Sequence, residues 1–232
     1  MDFAKVISEA WNLLVAGFEL TLIVTFFSLI FALILGFFTC LMSISKIKIL
    51  NWLASLYLWI IRGTPLLVQG FVIYFAIPQA LQALGINFMW VRYGGIATVA
   101  VIALALNAGA YISEIFRAGV LAVPKGQTEA ARSLGLSKAK SMVKVVLPQA
   151  FKISVPSLVN QFIITLKDTS ILTPMGLKDI VYHSKNYVSS NGNGLATWLI
   201  VAVFYLAIVT VLSFVSHRIE RSMDYANKSK NK

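Results

Sequence analysis

The chain has 232 residues, of which 58% are hydrophobic and 12% are charged, and its formal net charge is +11. A soluble domain carries about 25% charged residues, so the composition excludes an ordinary soluble protein and indicates a membrane protein. The single Cys40 excludes an internal disulfide, and most basic residues flank apolar runs, which is typical of membrane topology rather than of nucleic-acid binding.

The N-terminal segment, residues 1–17, places apolar residues on one helical face and polar residues elsewhere. This pattern predicts an amphipathic helix that lies at the membrane interface. Five apolar runs follow, each long enough to cross a hydrocarbon core of roughly 30 Å. They cover residues 20–42, 49–77, 94–120, 151–175 and 195–215. The sequence therefore predicts an all-α membrane protein with five transmembrane helices and one interfacial helix.

The second span contains a helix break. Arg62-Gly63-Thr64-Pro65 lies in its middle, where proline removes a donor and disfavours helix at the preceding residue. The third span places small residues and polar side chains at steps of three or four, which predicts a face that packs against another helix. These residues are Ala100, Ala103, Asn107, Ala110, Tyr111 and Glu114.

The remaining segments are predicted to connect the spans within one transmembrane domain, residues 18–217. Residues 79–92 are predicted to form an interfacial connection and residues 176–194 a polar loop. A basic tail, residues 218–232, is expected to be mostly disordered beyond its first turn.

A polar, basic connection covers residues 121–150. Residues 127–134 are predicted to form a short helix that ends where Gly135 takes a left-handed cap. Ser137 is predicted to cap a second helix, which Pro148 closes.

The first of these short helices has an apolar face made by Ala130, Ala131 and Leu134, and Glu129 near its start complements the helix dipole. Such a face fits the groove of a partner protein. The alternative from the residues alone is a surface helix that lies on anionic lipid.

The distribution of basic residues sets the orientation. Fourteen of the twenty Lys and Arg residues fall on the side that holds residues 121–150 and the C-terminus, four fall on the other side, and Arg62 and Lys167 lie within spans. By the positive-inside rule, residues 121–150 and the C-terminus are cytoplasmic and the N-terminus is outside.

No motif for catalysis occurs in the sequence. The phosphate loop G-x-x-x-x-G-K-[ST], zinc motifs, nucleophile elbows and paired carboxylates are absent, and His183 and His217 lie far apart. We therefore expect that the chain is not an enzyme and holds no metal or cofactor.

Polar residues within the spans are the candidates for a solute path, because a charge at mid-membrane costs at least about 2.5 kcal/mol and faces protein or water. Asp168 can accept an ammonium group or form a structural ion pair. Asn107 and Gln69 can bond a substrate or tie helices together. Arg62 can attract a carboxylate or satisfy carbonyls that the helix break frees.

The polar connection has a recognisable spacing. Glu129-Ala130-Ala131 precedes Gly135 by three residues, and nine further residues separate Gly135 from Val145, which stands two before Leu147-Pro148. This spacing resembles the cytoplasmic signature loop of permease subunits of ATP-binding cassette importers. Val145 departs from the isoleucine that is more common there.

Further motifs resemble the polar amino acid branch of these permeases and cover nearly all of the chain. They are residues 62–67 with Gln69, residues 107–111 and 114–119, residues 123–127, residues 147–150, and residues 166–170.

The resemblance implies the type I importer permease fold: a five-span half that pairs with an identical or similar copy in the bacterial inner membrane. It implies that Glu129, Ala130, Ala131, Leu134, Gly135, Leu147 and Pro148 dock on a separate ATPase that binds ATP and Mg²⁺. It also implies that an external binding protein delivers a polar amino acid. The alternatives are an ion-gradient-driven transporter or channel for small polar solutes, and an assembly factor.

Overall fold

The computed structural model describes the backbone of residues 2–228 and the side chains of residues 2–219. Every regular element in this part of the chain is helical. The helices are α1 (Phe3–Ser43), α2 (Lys48–Arg62), α3 (Leu66–Phe71), α4 (Ile77–Ala83), α5 (Gly95–Ala122), α6 (Lys125–Ser133), α7 (Lys138–Ser141), α8 (Leu147–Asp168), α9 (Ile180–Asn191) and α10 (Gly194–Lys228).

Five helical segments in the described residues are long and apolar enough to cross a membrane. They are Phe3–Ser43, Leu66–Ala83, Gly95–Ala122, Lys138–Met175 and Gly194–Ile219. The all-α architecture with five spans is thereby confirmed.

The first helix differs from the predicted interfacial helix of residues 1–17, because α1 runs without a break from Phe3 to Ser43. Val6, Ala10 and Leu14 are almost fully buried in one cluster with residues of α9 and α10. The apolar face that predicted contact with the membrane surface is therefore partly covered by protein. Ile7 and Trp11 remain about half exposed.

Helix α5 lies at the centre of the molecule and packs against α1 and α8. Ala100, Ala103, Asn107 and Ala110 are buried, as the small-residue face predicted. A β-carbon on Gly36 of α1 would lie 2.9 Å from the Gly109 carbonyl oxygen. The small residues thus allow the two backbones to approach closely.

The helix break predicted at residues 62–65 is present between α2 and α3. Helix then continues through α3 and α4 to Ala83, so the predicted connection of residues 79–92 begins later than expected. A 3-10 turn, Trp90–Tyr93, leads into α5.

Two π turns occur in the described part of the chain, and each is followed by one residue and then a proline. The first π turn, Val72–Ala76, precedes Ile77 and Pro78, and the second, Met142–Val146, precedes Leu147 and Pro148. Proline lacks an N–H, and the wider turn lets the chain stay helical across it. The predicted helix end at Pro148 is therefore wrong, because α8 continues to Asp168.

Residues 176–194, predicted to be a polar loop, contain helix α9. Asp179 caps it: Oδ1 accepts hydrogen bonds from the Tyr182 N–H and from the Thr173 hydroxyl, both at 2.9 Å. Asp179 is fully buried, and a β-carbon on Gly17 would lie 2.8 Å from its carbonyl carbon. This close backbone contact fixes α9 against α1.

The C-terminal segment also differs from its prediction as a mostly disordered tail. Helix α10 continues to Lys228, since the helical pattern of the last span extends into the basic sequence. Residues 229–232 lie outside the described part of the chain.

Candidate functional site

The break in the second span is closed by the side chain of Gln69. Its Nε2 donates to the carbonyl oxygen of Ile61 at 2.7 Å and to the carbonyl oxygen of Thr64 at 2.9 Å. In a continuous helix the Ile61 carbonyl would accept from residue 65, but that residue is Pro65. Gln69 therefore replaces the hydrogen bond that proline removes.

Asn107 of α5 reaches the same amide. Its Nδ2 donates to Oε1 of Gln69 at 3.2 Å, and both side chains are buried. Nearby, the Tyr57 hydroxyl donates to the Leu106 carbonyl at 2.6 Å. Of the two roles that the sequence left open for Asn107 and Gln69, the structure shows the tie between helices.

Arg62 lies beside the break without bonding the freed carbonyls. Its guanidinium is 3.8 Å from the Glu114 carboxylate and 5.9 Å from the centre of the Tyr111 ring. Arg117 also binds Glu114, at 2.8 Å. Glu114 thus lies between two arginines, and 46% of the Arg62 side chain remains exposed. This leaves the Arg62 guanidinium able to meet another anion.

Asp168 is the last residue of α8 and is partly exposed. Its carboxylate makes no hydrogen bond or ion pair to any side chain in the described part of the chain. The 3-10 turn that follows, Thr169–Met175, packs against α3 and α5. Of the four predicted path residues, Arg62, Gln69 and Asn107 surround the break, while Asp168 stands apart with an open carboxylate.

The short helices after α5 carry the residues that are predicted to dock on a partner. Helix α6 ends before Gly135, whose φ of 84° is the predicted left-handed conformation. Glu129, Ala130 and Gly135 are exposed, and Leu134 is 85% exposed. Ala131 is buried instead, because α6 packs against the second π turn. The predicted apolar face is thus divided between the chain's own interior and the outside.

The second short helix carries the Ser137 cap, whose Oγ accepts from the Lys140 N–H at 3.4 Å. At the start of α8, Leu147 is partly buried and Pro148 is exposed. The amide of Gln149 donates to the Val145 carbonyl at 3.0 Å and to Oε1 of Gln127 at 3.3 Å. The bond to Gln127 links α6 to α8.

Several of these contacts had no signal in the sequence, although their residues belong to predicted elements or motifs. Gln127 and Gln149 meet only because α6 packs against the second π turn, next to the start of α8. Tyr111 meets Arg62 only because α2 packs against α5. The Thr64-Pro65 pair was a signal for an unpaired carbonyl. It did not tell which side chain would satisfy that carbonyl.

The described side chains include no group of three His, Cys, Asp or Glu residues placed to hold a metal ion.

Outside the spans, burial raises the pKa of the Asp179 carboxyl above its ordinary value, although hydrogen bonds from Tyr182 and Thr173 act in the opposite direction. Its Oδ2 is buried with no partner among the described residues. The Asp168 carboxylate and the exposed part of the Arg62 guanidinium each remain available for contact with a polar group outside the chain.

Comparison with known families gives one match over most of the chain. Residues 28–225 match the family described as binding-protein-dependent transport system inner membrane component.

Curated relatives match nearly the whole length. The chain is 40% identical to the L-cystine transport system permease protein TcyB of Bacillus subtilis strain 168, over 92% of this chain and 88% of that protein. It is 36% identical to the arginine transport system permease protein ArtQ of the same organism, over 96% and 97% of the two chains. It is 38% identical to the glutamine transport system permease protein GlnP of Escherichia coli K12, over 91% and 93%.

Solved structures share the fold. A crystal structure of an amino acid ABC transporter with histidines superposes with a TM-score of 0.84 at 36% identity, covering 96% of this chain and 99% of the other. The MetNI methionine ABC transporter in an inward-facing conformation superposes with a TM-score of 0.73 at 22% identity, covering 92% and 97%.

Proposed function

The chain belongs to the family of binding-protein-dependent transport system inner membrane components, and on this premise we propose that it imports a polar amino acid with energy from a partner ATPase. As a member of the amino acid branch of this family, it is a multi-pass membrane transport subunit and not an enzyme. ATP and Mg²⁺ bind the partner subunit in this proposal, and this chain holds no cofactor.

One observation carries the ATPase proposal. Leu134 is 85% exposed beside the left-handed Gly135, at the end of a short helix that projects from the ends of the spans. An exposed leucine on a helix end fits an apolar pocket of a partner protein. Glu129 and Ala130 share the outer side of α6, while Ala131 holds α6 to its own chain. Leu147 and Pro148 contribute at the base of the surface.

The connection from this surface to the spans supports coupling. Helix α7, the second π turn and α8 form one continuous helical segment that ends at Asp168. The Gln127–Gln149 hydrogen bond adds a side-chain link from α6 to α8. A rigid-body shift of α6 on the ATPase therefore moves the segment that carries Asp168, and alternating access follows in a pair of such permeases.

The open charges around the spans support an amino acid as the solute. The Asp168 carboxylate can accept the α-ammonium or a cationic side chain, and the exposed part of Arg62 can meet the α-carboxylate. Gln69 and Asn107 shape the path by holding the helix break in place. Relatives are named for cystine, arginine and glutamine, and each of these amino acids has an α-ammonium and an α-carboxylate group.

The remaining partners follow from the family and from the charge pattern. The distribution of basic residues supports a cytoplasmic location for residues 121–150 and the C-terminus and an external location for the N-terminus. An extracytoplasmic binding protein delivers the amino acid on the outer side, and a second permease half, identical or closely related, completes the path.

The test is reconstitution of the permease with its ATPase and binding protein in proteoliposomes. We expect amino acid uptake that requires ATP on the side of α6. Leu134→Glu should abolish co-purification of the ATPase, whereas Leu84→Glu, at a leucine 76% exposed near the end of α4, should retain it. Uptake by the permease alone under an ion gradient would instead support the gradient-driven alternative.

A further inference from the structure

A wide apolar groove opens on the outside of the helix bundle, away from the polar path residues. It has a volume of about 720 Å³ and lies between α1, α5, α8 and α10. All of its lining residues are apolar, and they include Phe26, Phe38, Phe116, Phe151 and Phe162. Within a membrane span, the surroundings of such a groove are hydrocarbon rather than water.

The length of the groove matches one leaflet. Its lining on α1 extends from Phe26 to Phe38, and the twelve steps between these residues rise about 18 Å at 1.5 Å each. Half of a hydrocarbon core is roughly 15 Å. A lipid chain that starts at one membrane surface would therefore fill the groove and end near the middle of the bilayer.

The shape of a single acyl chain suits this groove. Such a chain is flexible and can follow the apolar lining along its whole length.

One end of the groove, its aromatic end, is lined by three phenylalanine rings. The Phe37 and Phe116 ring centres are 6.0 Å apart, and those of Phe116 and Phe151 are 6.2 Å apart. These residues lie where α1 and α5 end and α8 begins, which is the membrane side of the basic loop. Val215 of α10 completes this end.

Two exposed cations come shortly after lining residues of the aromatic end, one on α8 and one on α10. Lys152 comes directly after Phe151, and Arg218 comes three residues after Val215. The guanidinium of Arg218 lies 5.0 Å from the centre of the Phe214 ring. Neither cation forms an ion pair with an acidic residue whose side chain is described. Each can reach the level of lipid headgroups along its own flexible stem.

We propose that this groove binds one acyl chain of an anionic phospholipid whose headgroup phosphate contacts Lys152 and Arg218. The apolar lining gives the chain a matching surface, and the two cations select a negative headgroup over a zwitterionic one. The bound lipid would fill the space between α1, α8 and α10, and none of the four candidate path residues lines it.

The experiment measures motionally restricted lipid by electron paramagnetic resonance. The full-length permease, in its transport complex, is placed in phosphatidylcholine vesicles that contain spin-labelled phosphatidylglycerol or spin-labelled phosphatidylcholine. We expect phosphatidylglycerol to associate at least about fivefold more strongly, because one Lys or Arg near an anionic headgroup contributes a factor of that size. Lys152→Gln with Arg218→Gln should remove the preference.

Two further variants test the groove itself. Val159→Trp places a large ring in the lining and should release the restricted phosphatidylglycerol. Val211→Trp, at a position 57% exposed on α10 and outside the groove, should not. Equal association of both lipids in wild type and in all variants would overturn the proposal. Disulfide cross-linking of Val159→Cys between two copies would also overturn it, by showing a second permease in the groove.

Discussion

Asn107 holds the amide of Gln69 in one orientation: Nδ2 of Asn107 donates to Oε1 of Gln69 at 3.2 Å. This bond turns Nε2 of Gln69 toward the break, where it donates to the Ile61 and Thr64 carbonyls. Pro65 has no N–H to donate to the Ile61 carbonyl, and Gln69 supplies that hydrogen bond instead. Asn107, a residue of the central helix α5, thereby orients the donor that joins α2 to α3.

Removal of the Gln69 amide should therefore lower the stability of the folded permease more than removal of Asn107, which orients that amide. We expect Gln69→Ala to lower the free energy of unfolding by about 2–3 kcal/mol, because buried carbonyls lose their donor, and Asn107→Ala by about 1 kcal/mol. Detergent-induced unfolding of the purified permease measures both. The double variant should resemble Gln69→Ala alone. An equal loss in Gln82→Ala, at an exposed glutamine, would contradict this role.

The open carboxylate of Asp168 gives a prediction for uptake. Asp168→Asn should reduce ATP-driven uptake at least about tenfold, since a charge-assisted bond to an ammonium group contributes about 1.5–3 kcal/mol. The thermal midpoint of unfolding should change little, because no described side chain pairs with Asp168. Lys167→Gln is the adjacent control and should retain uptake. Wild-type uptake by Asp168→Asn would remove Asp168 from the path.

Gly135 allows a test of coupling. Gly135→Asp should leave membrane insertion intact but abolish ATP-driven uptake and ATPase stimulation, because it places a negative charge beside Leu134 on the docking surface. Gly135→Asn tolerates the same left-handed backbone without the charge and should retain most of the uptake. If Gly135→Asp transports and stimulates normally, the docking role of this surface is wrong.

The contact between α1 and α9 should tolerate no side chain at Gly17. A β-carbon there would lie 2.8 Å from backbone atoms of Asp179 and Ile180, which cannot rotate away as a side chain can. We expect Gly17→Ala to destabilise the permease by about 1–3 kcal/mol, measured by detergent unfolding. Gly126→Ala, where the new methyl meets no atom within 4 Å, should be near neutral.

Asp179 predicts a pH dependence of stability. Burial raises its pKa in the folded state, whereas an unfolded aspartate has a pKa of about 3.9. The folded protein then binds the proton more tightly, so the free energy of unfolding should fall as pH rises from about 4 through the raised pKa. Asp179→Asn keeps an acceptor for Thr173 and Tyr182 and should flatten this slope.

The control for that measurement is Asp2→Asn, at the exposed cap of α1, which should leave the pH dependence in place. A slope that persists unchanged in Asp179→Asn would assign it to other groups.

Much of the architecture could be predicted because hydropathy and proline chemistry act locally. The five spans, the break at Pro65 and the cap at Gly135 each follow from a few neighbouring residues. The prediction of a polar loop at residues 176–194 is wrong because it follows polar composition and leaves out a local signal. Asp179, three residues before Tyr182, has the spacing of a helix cap.

The residues of the candidate site were predicted better than their contacts. Arg62, Gln69 and Asn107 were selected as polar groups in apolar spans, and all three lie around the break. Which of them satisfies the Ile61 carbonyl depends on how α3 follows α2 across the break and on where α5 packs beside them, and no local pattern contains that geometry. Ala131 was assigned to the outer surface for the same reason, since only the packing of α6 on the second π turn covers it.

The two π turns let the chain hold an extra residue without redirecting the helix that follows. Each holds one residue more than an α-helical turn needs, and the wider turn absorbs that residue locally. Deleting one residue from Met142–Val146 would therefore leave an ordinary α turn, with Gln161, Thr165 and Asp168 still facing their present neighbours. Deleting one residue within α8 itself would instead rotate the residues after it by about 100°. The second π turn is thus the place where this helical segment tolerates a change of one residue while α6 and Asp168 keep their relative orientation.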